Sequence, residues 1–298
     1  MDTRRFIFFA ACVAMVLLAA TSVASAGSIS TVVAYGDSLS DNGNLYAASG
    51  YPPAPYWNGR FSNGPVTVEQ LATNFGATLY DFAWGGATSG IGNYLDGGSS
   101  TTMGAFNLPG IQTELAASAA MVPALAGPNT LFVVWGGAND FLTGGTAASA
   151  AANIDGIVAT LQADGAQRVL VPGMPDLGQT PDFYGNAMAT LYAEAFNADL
   201  LSGLPSGAVY FDTFAFLHAV VADPAAYGFT NVTDPCFNGT TVCANPSQYL
   251  FWDGFHPTTA ADAYAARAFA DVVPEPSMFV LVGTGLAGIL VRLRRSRS

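Results

Sequence analysis

The sequence predicts an α/β fold in which a parallel sheet carries helices on both faces. Three observations point to it. Five short β-rich apolar runs are each closed by turn residues. Stretches with apolar residues at helical spacing alternate with those runs. Glycine-containing motifs stand just beyond the first three runs. Parallel strands covered on both faces read as continuous apolar runs rather than as alternating ones, and these runs do so.

The expected strands are Ile29 to Tyr35, Ala77 to Ala83, Thr130 to Trp135, Arg168 to Pro172 and Ala208 to Phe211. The first leads into Gly36-Asp37-Ser38, the second into Gly85-Gly86 and the third into Gly136-Gly137. Helices are expected over Val66 to Phe75, Ile111 to Leu125, Ala147 to Ala163, Met188 to Leu201 and Thr258 to Val272. Gly90 to Gly104 is rich in Gly, Ser and Thr and reads as a mobile surface loop. No internal repeat is visible. Sheets of this kind bind ligands at the carboxyl ends of their strands, so the glycine motifs mark the edge where chemistry is expected.

Both ends of the 298-residue chain read as export signals rather than as fold. Residues 1–26 hold Arg4 and Arg5, an apolar run from Phe6 to Ala20, and Ala24-Ser25-Ala26. That order is a secretory signal peptide, implying Sec-type export and removal by a signal peptidase. A membrane-spanning anchor is the other reading, for which the run is short. At the far end, Val273-Pro274-Glu275-Pro276-Ser277 precedes an apolar stretch from Met278 to Val291, and Arg292, Arg294, Arg295 and Arg297 follow. Fourteen apolar or small residues are marginal for a span, which wants about 20. The basic cluster should stay on the cytoplasmic side, so residues 273–298 can hold a translocated protein at the inner membrane. A permanent single-span anchor is the alternative. The whole pattern resembles the PEP-CTERM sorting signal. That resemblance implies an exosortase acting near the Pro-Glu-Pro element, and a body left at the cell surface or outside the cell after transient inner-membrane retention.

Between these ends lies a body over residues 27–272, long enough for one sizeable core. Its basic residues are Arg60, Arg168 and Arg267, the chain has no lysine, and nineteen acids leave the body at −16. So acidic a surface repels nucleic acid and anionic headgroups, and suits a soluble exported protein. Cys12 would leave with the signal peptide. Cys236 and Cys243 remain, and an even pair in an oxidising compartment reads as a disulfide. Two cysteines with only His218 and His256 make a poor zinc site, and no metal is expected.

The chemistry-bearing residues begin with Ser38, in Gly36-Asp37-Ser38-Leu39-Ser40-Asp41-Asn42-Gly43-Asn44. A serine straight after a strand can hold its hydroxyl clear of the sheet while nearby backbone N–H groups face a developing oxyanion. A helix N-cap is the plainer role for such a serine. A hydroxyl nucleophile needs a base, and the base needs an acceptor on its second nitrogen. Asp253 and His256, in Trp252-Asp253-Gly254-Phe255-His256-Pro257-Thr258, can meet within one tight turn. A capping Asp beside an incidental His is the alternative. His218 lies in an apolar, helical-looking run from Phe214 to Val221 and reads as a structural histidine. Gly85-Gly86-Ala87-Thr88 can bring a backbone N–H close to a substrate, and Gly137-Ala138-Asn139-Asp140 places an amide at the end of the third strand. Each of these two, alone, is also an ordinary turn.

Taken in order, Gly-Asp-Ser-Leu, Gly-Gly-Ala-Thr, Gly-x-Asn-Asp and Asp-x-x-His-Pro resemble the GDSL, or SGNH, hydrolase family. The resemblance covers residues 29 to 272, and Asn58-Gly59-Arg60-Phe61-Ser62-Asn63-Gly64-Pro65 is similar to a segment of its lipase-like branch. It implies a flavodoxin-like α/β/α sandwich with a five-stranded parallel sheet. It also implies Ser38 as nucleophile, His256 as base and Asp253 as the third triad member. The oxyanion donors it implies are Ser38 N–H, Gly86 N–H, with Gly85 as the neighbouring alternative, and the Asn139 side chain. The activity implied is ester hydrolysis by acyl transfer with no cofactor, on lipid or phospholipid-like esters. A carbohydrate acetylesterase acting on exported polysaccharide is a second reading, suggested by the sorting tail. A catalytically silent surface or matrix binding protein is a third.

Overall fold

The structure is a computed structural model and describes residues 28–273. The expected signal peptide and all but the first residue of the expected tail lie outside the described residues. Five strands, β1 (Thr31–Gly36), β2 (Thr78–Asp81), β3 (Thr130–Trp135), β4 (Val169–Pro172) and β5 (Val209–Phe211), form one sheet in the order β2-β1-β3-β4-β5. Every pairing in it is parallel. The five apolar runs of the sequence are therefore the five strands: β3 has the expected bounds, β1 starts two residues later and ends one later, and β2, β4 and β5 are shorter by one to three residues.

Helices separate them: α1 (Asn44–Ser49), α2 (Thr67–Phe75), α3 (Ile111–Ser118), α4 (Val122–Leu125), α5 (Ala138–Leu142), α6 (Ala147–Ala163), α7 (Ala187–Gly203), α8 (Thr213–Ala222) and α9 (Thr259–Val272). The layering follows from side-chain alternation along the strands. Val33, Tyr35, Phe132 and Val134 face one way and pack on Ile111 and Leu115 of α3, Ile154, Ile157 and Leu161 of α6, and Ala189, Ala193, Phe196 and Leu200 of α7. Val32, Ala34, Leu131, Val133 and Trp135 face the other way and pack on Val68, Leu71 and Ala72 of α2 and Ala266 and Phe269 of α9. The central strands β1, β3 and β4 are buried almost throughout, whereas β2 and β5 at the edges are only partly covered. This is the three-layer α/β/α sandwich that the resemblance implied.

Two expectations need correction. Ile111 to Leu125 is not one helix but two, α3 and α4. Pro123 has no N–H for a continuing helix, and it sits instead in the first turn of α4, where none is needed. Gly90 to Gly104 is not a loose loop. Its backbone is tied by Ile91 N–H to Ser100 O at 3.1 Å and Gly92 N–H to Ser99 O at 3.0 Å. Asp96 accepts from Phe106 N–H and Leu108 N–H at 3.0 Å each. A Cβ on Gly90 would stand 1.9 Å from the Ser100 carbonyl oxygen. The glycines there serve close backbone approach, a use that composition alone does not distinguish from mobility.

A smaller parallel pair, β6 (Asn231–Pro235) and β7 (Tyr249–Phe251), lies outside the main sheet. With Leu217 and Val220 of α8 and Ala261 of α9 it encloses a third apolar cluster around Phe229, Leu250 and Phe251. The chain runs from β1 to β2 on one side and crosses to β3 on the other. The order thus reverses between β1 and β3, whose carboxyl ends carry Ser38 and Asn139.

Candidate active site

At the end of β1 the chain turns sharply. Ser40 N–H and Asp41 N–H both donate to Asp37 O at 2.9 Å, and Leu39 N–H donates to Asp37 Oδ1 at 3.1 Å. Gly36 has to be glycine because a Cβ there would stand 2.3 Å from the Trp135 carbonyl of the paired strand β3. The turn leaves the Ser38 hydroxyl free to face a cleft, and Ser38 N–H has no hydrogen-bond partner among the described residues.

Asp253 and His256 meet as their spacing suggests. Oδ1 of Asp253 accepts from Phe255 N–H and His256 N–H at 2.8 Å each, and Trp252 N–H closes the turn on His256 O at 2.7 Å. Nδ1 of His256 then lies 2.8 Å from Asp253 Oδ2, and its Nε2 lies 2.8 Å from Ser38 Oγ. The tautomer consistent with this is Nδ1–H donating to the carboxylate, which leaves Nε2 to accept the serine proton.

The segment Asn58 to Pro65 braces this turn from behind. Phe61 packs on the imidazole with ring centroids 5.0 Å apart. Ser62 Oγ donates to Pro257 O at 2.9 Å, and Asn63 Oδ1 accepts from Thr259 N–H at 2.9 Å. Asp262 on α9 accepts from Thr67 Oγ1 at 2.7 Å and Ser62 Oγ at 3.3 Å. Sequence reasoning missed Tyr56, whose hydroxyl donates to Asp253 Oδ2 at 2.7 Å. It stands in Pro53-Ala54-Pro55-Tyr56 with no motif of its own, and only the fold brings it to a residue 197 positions away.

Gly86 and Asn139 line the same cleft as Ser38. The two glycines differ in hydrogen bonding. Gly85 N–H donates to Asp41 Oδ2 at 2.7 Å and is occupied. Gly86 N–H has no partner among the described residues. Gly86 holds φ of 80°, and a Cβ there would meet Asn93 Oδ1 at 2.4 Å, so both conformation and space require glycine. Asn139 sits in the first turn of α5, where Gly137 supplies a left-handed N-cap with φ of 109°. Its amide donates to Ala87 O at 3.0 Å and makes a longer contact of 3.4 Å to Asp37 Oδ2. The amide nitrogen is thus held firmly by Ala87 O and only weakly by Asp37.

Burial and charge set the protonation states. Burial opposes ionisation of Asp253, but the His256 charge, the His256 hydrogen bond, two backbone donors and Tyr56 hold its pKa below the ordinary value. Burial depresses His256, yet Asp253, Asp37 and Asp262 outweigh it and raise its pKa. Burial pushes the Asp37 carboxyl up to about 6 and the Asp262 carboxyl up to about 8. His218 is elsewhere: it pairs with Asp176 at 2.9 Å on α8 and stacks on Phe214.

The cleft has a volume of about 560 Å³, and its walls are mainly aromatic and aliphatic, including Tyr51, Phe61, Tyr94, Phe183, Phe237 and Phe255. Phe237 belongs to the loop closed by the Cys236–Cys243 disulfide and stacks on Trp252 at 5.8 Å. Among the described residues, no helix is long and apolar enough to cross a membrane.

Residues 32–269 match the model of the GDSL-like lipase/acylhydrolase family, and residues 272–295 match the PEP-CTERM protein-sorting motif. A phosphatidylcholine-sterol acyltransferase of Aeromonas hydrophila is 31% identical over 258 residues, covering 79% of this chain and 73% of that one. A thermolabile hemolysin of Vibrio parahaemolyticus is 28% identical over 274 residues, covering 80% of this chain and 62% of that one. Among solved structures, a lipolytic G-D-S-L family member from Veillonella parvula aligns with a TM-score of 0.47 at 14% identity, covering 80% of this chain and 93% of that one. The family model runs from within β1 to within α9 and takes in every residue of the cleft named above, and the chain belongs to the GDSL-like lipase/acylhydrolase family of ester hydrolases, extended by a PEP-CTERM sorting motif that directs it to the cell surface.

Proposed function

We propose that this protein hydrolyses carboxylic esters outside the cytoplasm by two-step acyl transfer, with Ser38 as nucleophile, His256 as base and Asp253 orienting the imidazole. The observation that carries the reading is the unbroken chain from Asp253 Oδ2 through His256 to Ser38 Oγ, with both contacts at 2.8 Å. Nε2 of His256 takes the hydroxyl proton as Ser38 Oγ attacks the ester carbonyl. Ser38 N–H, Gly86 N–H and the Asn139 amide receive the oxyanion. His256 then protonates the leaving alcohol, and water repeats the sequence on the acyl-enzyme.

The apolar walls of the cleft favour an ester with an apolar acyl chain over an acetylated sugar. Phosphatidylcholine-type and short-chain aryl esters are suitable first substrates. The export route proposed is Sec-type translocation, removal of residues 1–26 by a signal peptidase, inner-membrane retention by the tail, and processing by an exosortase. The test is labelling of the mature protein with a serine-reactive phosphonate, then assay on esters of increasing chain length beside acetylated sugars. Adduct formation on Ser38 with ester turnover supports the reading. Turnover of acetylated sugars alone would make it an acetylesterase, and absence of both labelling and turnover would make it a silent binder.

A further inference from the structure

We propose that Tyr56 is a positioning residue of the triad: its phenol fixes the Asp253 carboxylate and restrains the basicity of His256. The inference rests on the triad reading above. Asp253 Oδ2 receives two donors side by side, Tyr56 OH at 2.7 Å and His256 Nδ1 at 2.8 Å, while Oδ1 is held by two backbone N–H groups. His256 Nδ1 also lies 2.9 Å from Oδ1, so the imidazole faces both oxygens, and the carboxylate it faces shares its charge with the Tyr56 donor on Oδ2.

The phenol is aimed by its surroundings. Its ring meets Phe237 edge-on at 5.7 Å, Trp252 at 6.2 Å and Phe61 at 6.1 Å. Phe61 in turn covers the His256 ring, and Phe237 is carried by the disulfide loop. Burial and the Asp253 charge keep the Tyr56 hydroxyl protonated across the working pH range, so it is always a donor.

The need for such a donor follows from what faces His256. Asp253 lies beneath Nδ1, Asp37 stands at the end of β1, Asp262 projects from α9 and Asp182 lies across Gly254. Asp253, held below the ordinary carboxylate range, is an anion throughout, Asp37 joins it above about 6 and Asp262 only above about 8, and each as an anion favours the imidazolium. A base that holds its proton too tightly is charged at neutral pH and cannot accept from serine. Tyr56 acts in the opposite sense by drawing charge out of the one carboxylate that touches the ring.

Tyr56→Phe removes the hydroxyl and keeps the ring, so the aromatic contacts remain. The chain has two histidines, which lets proton NMR follow each one separately. The His256 titration midpoint should rise in Tyr56→Phe by about half a pH unit, about threefold in proton affinity. The acid limb of kcat/KM should rise by the same amount, with KM on the plateau unchanged within about twofold. Incorporation of 3-fluorotyrosine makes the phenol a stronger donor without altering the fold, and should move the His256 midpoint downward. An unchanged His256 midpoint in either protein, with an unchanged acid limb, would overturn the proposal and leave Tyr56 as packing alone. The NMR titration needs no turnover, so it stands apart from the proposed activity, which Ser38→Ala tests.

Discussion

His256 Nε2 lies 2.8 Å from Ser38 Oγ although the two residues are 218 positions apart. One follows β1 near the start of the fold, and the other precedes α9 at its end. The contact exists because α9 packs on the same sheet face as β1, through Ala266 and Phe269, which brings the turn before it over the strand end. Catalysis in this reading depends on that packing as much as on the residues themselves.

Ser38→Ala should abolish ester turnover, with a loss on the order of 10⁶-fold in kcat. Among the described residues the Ser38 hydroxyl makes one hydrogen bond, to His256, so the fold should persist. Thermal melting beside the assay separates lost chemistry from lost structure. Retention of wild-type turnover would sink the mechanism.

Asn139→Ala should lower kcat by about 10²–10³-fold with KM little changed, because its donor acts on the transition state. The same change removes the bond to Ala87 O, so some loss of stability is expected as well. A large rise in KM at constant kcat would instead make Asn139 a substrate-binding residue.

Activity and stability should respond to pH in opposite directions. The His256 pKa is raised, so its protonated form gains as pH falls, and kcat/KM should decline on the acid side with a midpoint above the ordinary 6.5. Buried carboxyls act the other way on stability. Asp262, at about 8, Asp37, at about 6, and Asp81 and Glu114, well above the usual range, bind more protons folded than unfolded. Their contribution is fully present below the ordinary carboxylate pKa of about 4 and is lost as pH rises through their folded values. The lowered Asp253 opposes this at the acid end. Calorimetry should find a higher Tm near pH 5 than near pH 9, and Asp262→Asn should reduce the difference. A Tm that climbs from pH 5 to 9 would contradict these protonation states.

The Cys236–Cys243 bridge should resist alkylation until reductant is added, read by intact mass. Its short loop contributes about 2–3 kcal/mol by closure. Cys236→Ser with Cys243→Ser should therefore lower Tm, and should loosen the cleft wall that Phe237 forms, raising KM. Two free thiols in the native secreted protein would refute the bridge.

Deleting residues 274–298 should leave catalysis intact, since α9 ends at Val272 and Val273 closes the core beside it, and should change where the protein accumulates. Protein recovered from the native host should lack residues beyond about Pro276, as a processed sorting signal requires. A mature cell-surface fraction ending at Ser298 would make the tail a permanent anchor.

The strands were legible because burial on both faces leaves a plain signal: Leu131-Phe132-Val133-Val134 has no polar residue to confuse it. The order of the motifs was legible too, since Ser38, Gly86 and Asn139 each follow a strand within a few residues. Less visible were the elements without such a signal. The break between α3 and α4 turned on Pro123 alone, and of the β6–β7 pair β6 is too polar and β7 too short to stand out. The glycines of Gly90 to Gly104 pointed to freedom when the structure uses them for contact.

Local chemistry is what the sequence by itself determined: which residues can be nucleophile, base or donor, which turns they occupy, and that the body is an acidic, exported α/β unit. Tertiary structure decided what depends on distance between remote segments. It occupied Gly85 N–H with Asp41 and left Gly86 N–H open. It set the imidazole of His256 against Ser38, and it added Asp37 and Asp262 to the nearby Asp253, which does most to raise the pKa against burial. It also delivered Tyr56 to Asp253. Hydrogen bonds and charge interactions act over a few ångströms, and a sequence states separation along the chain, so such partners appear only once the sheet and its helices have packed.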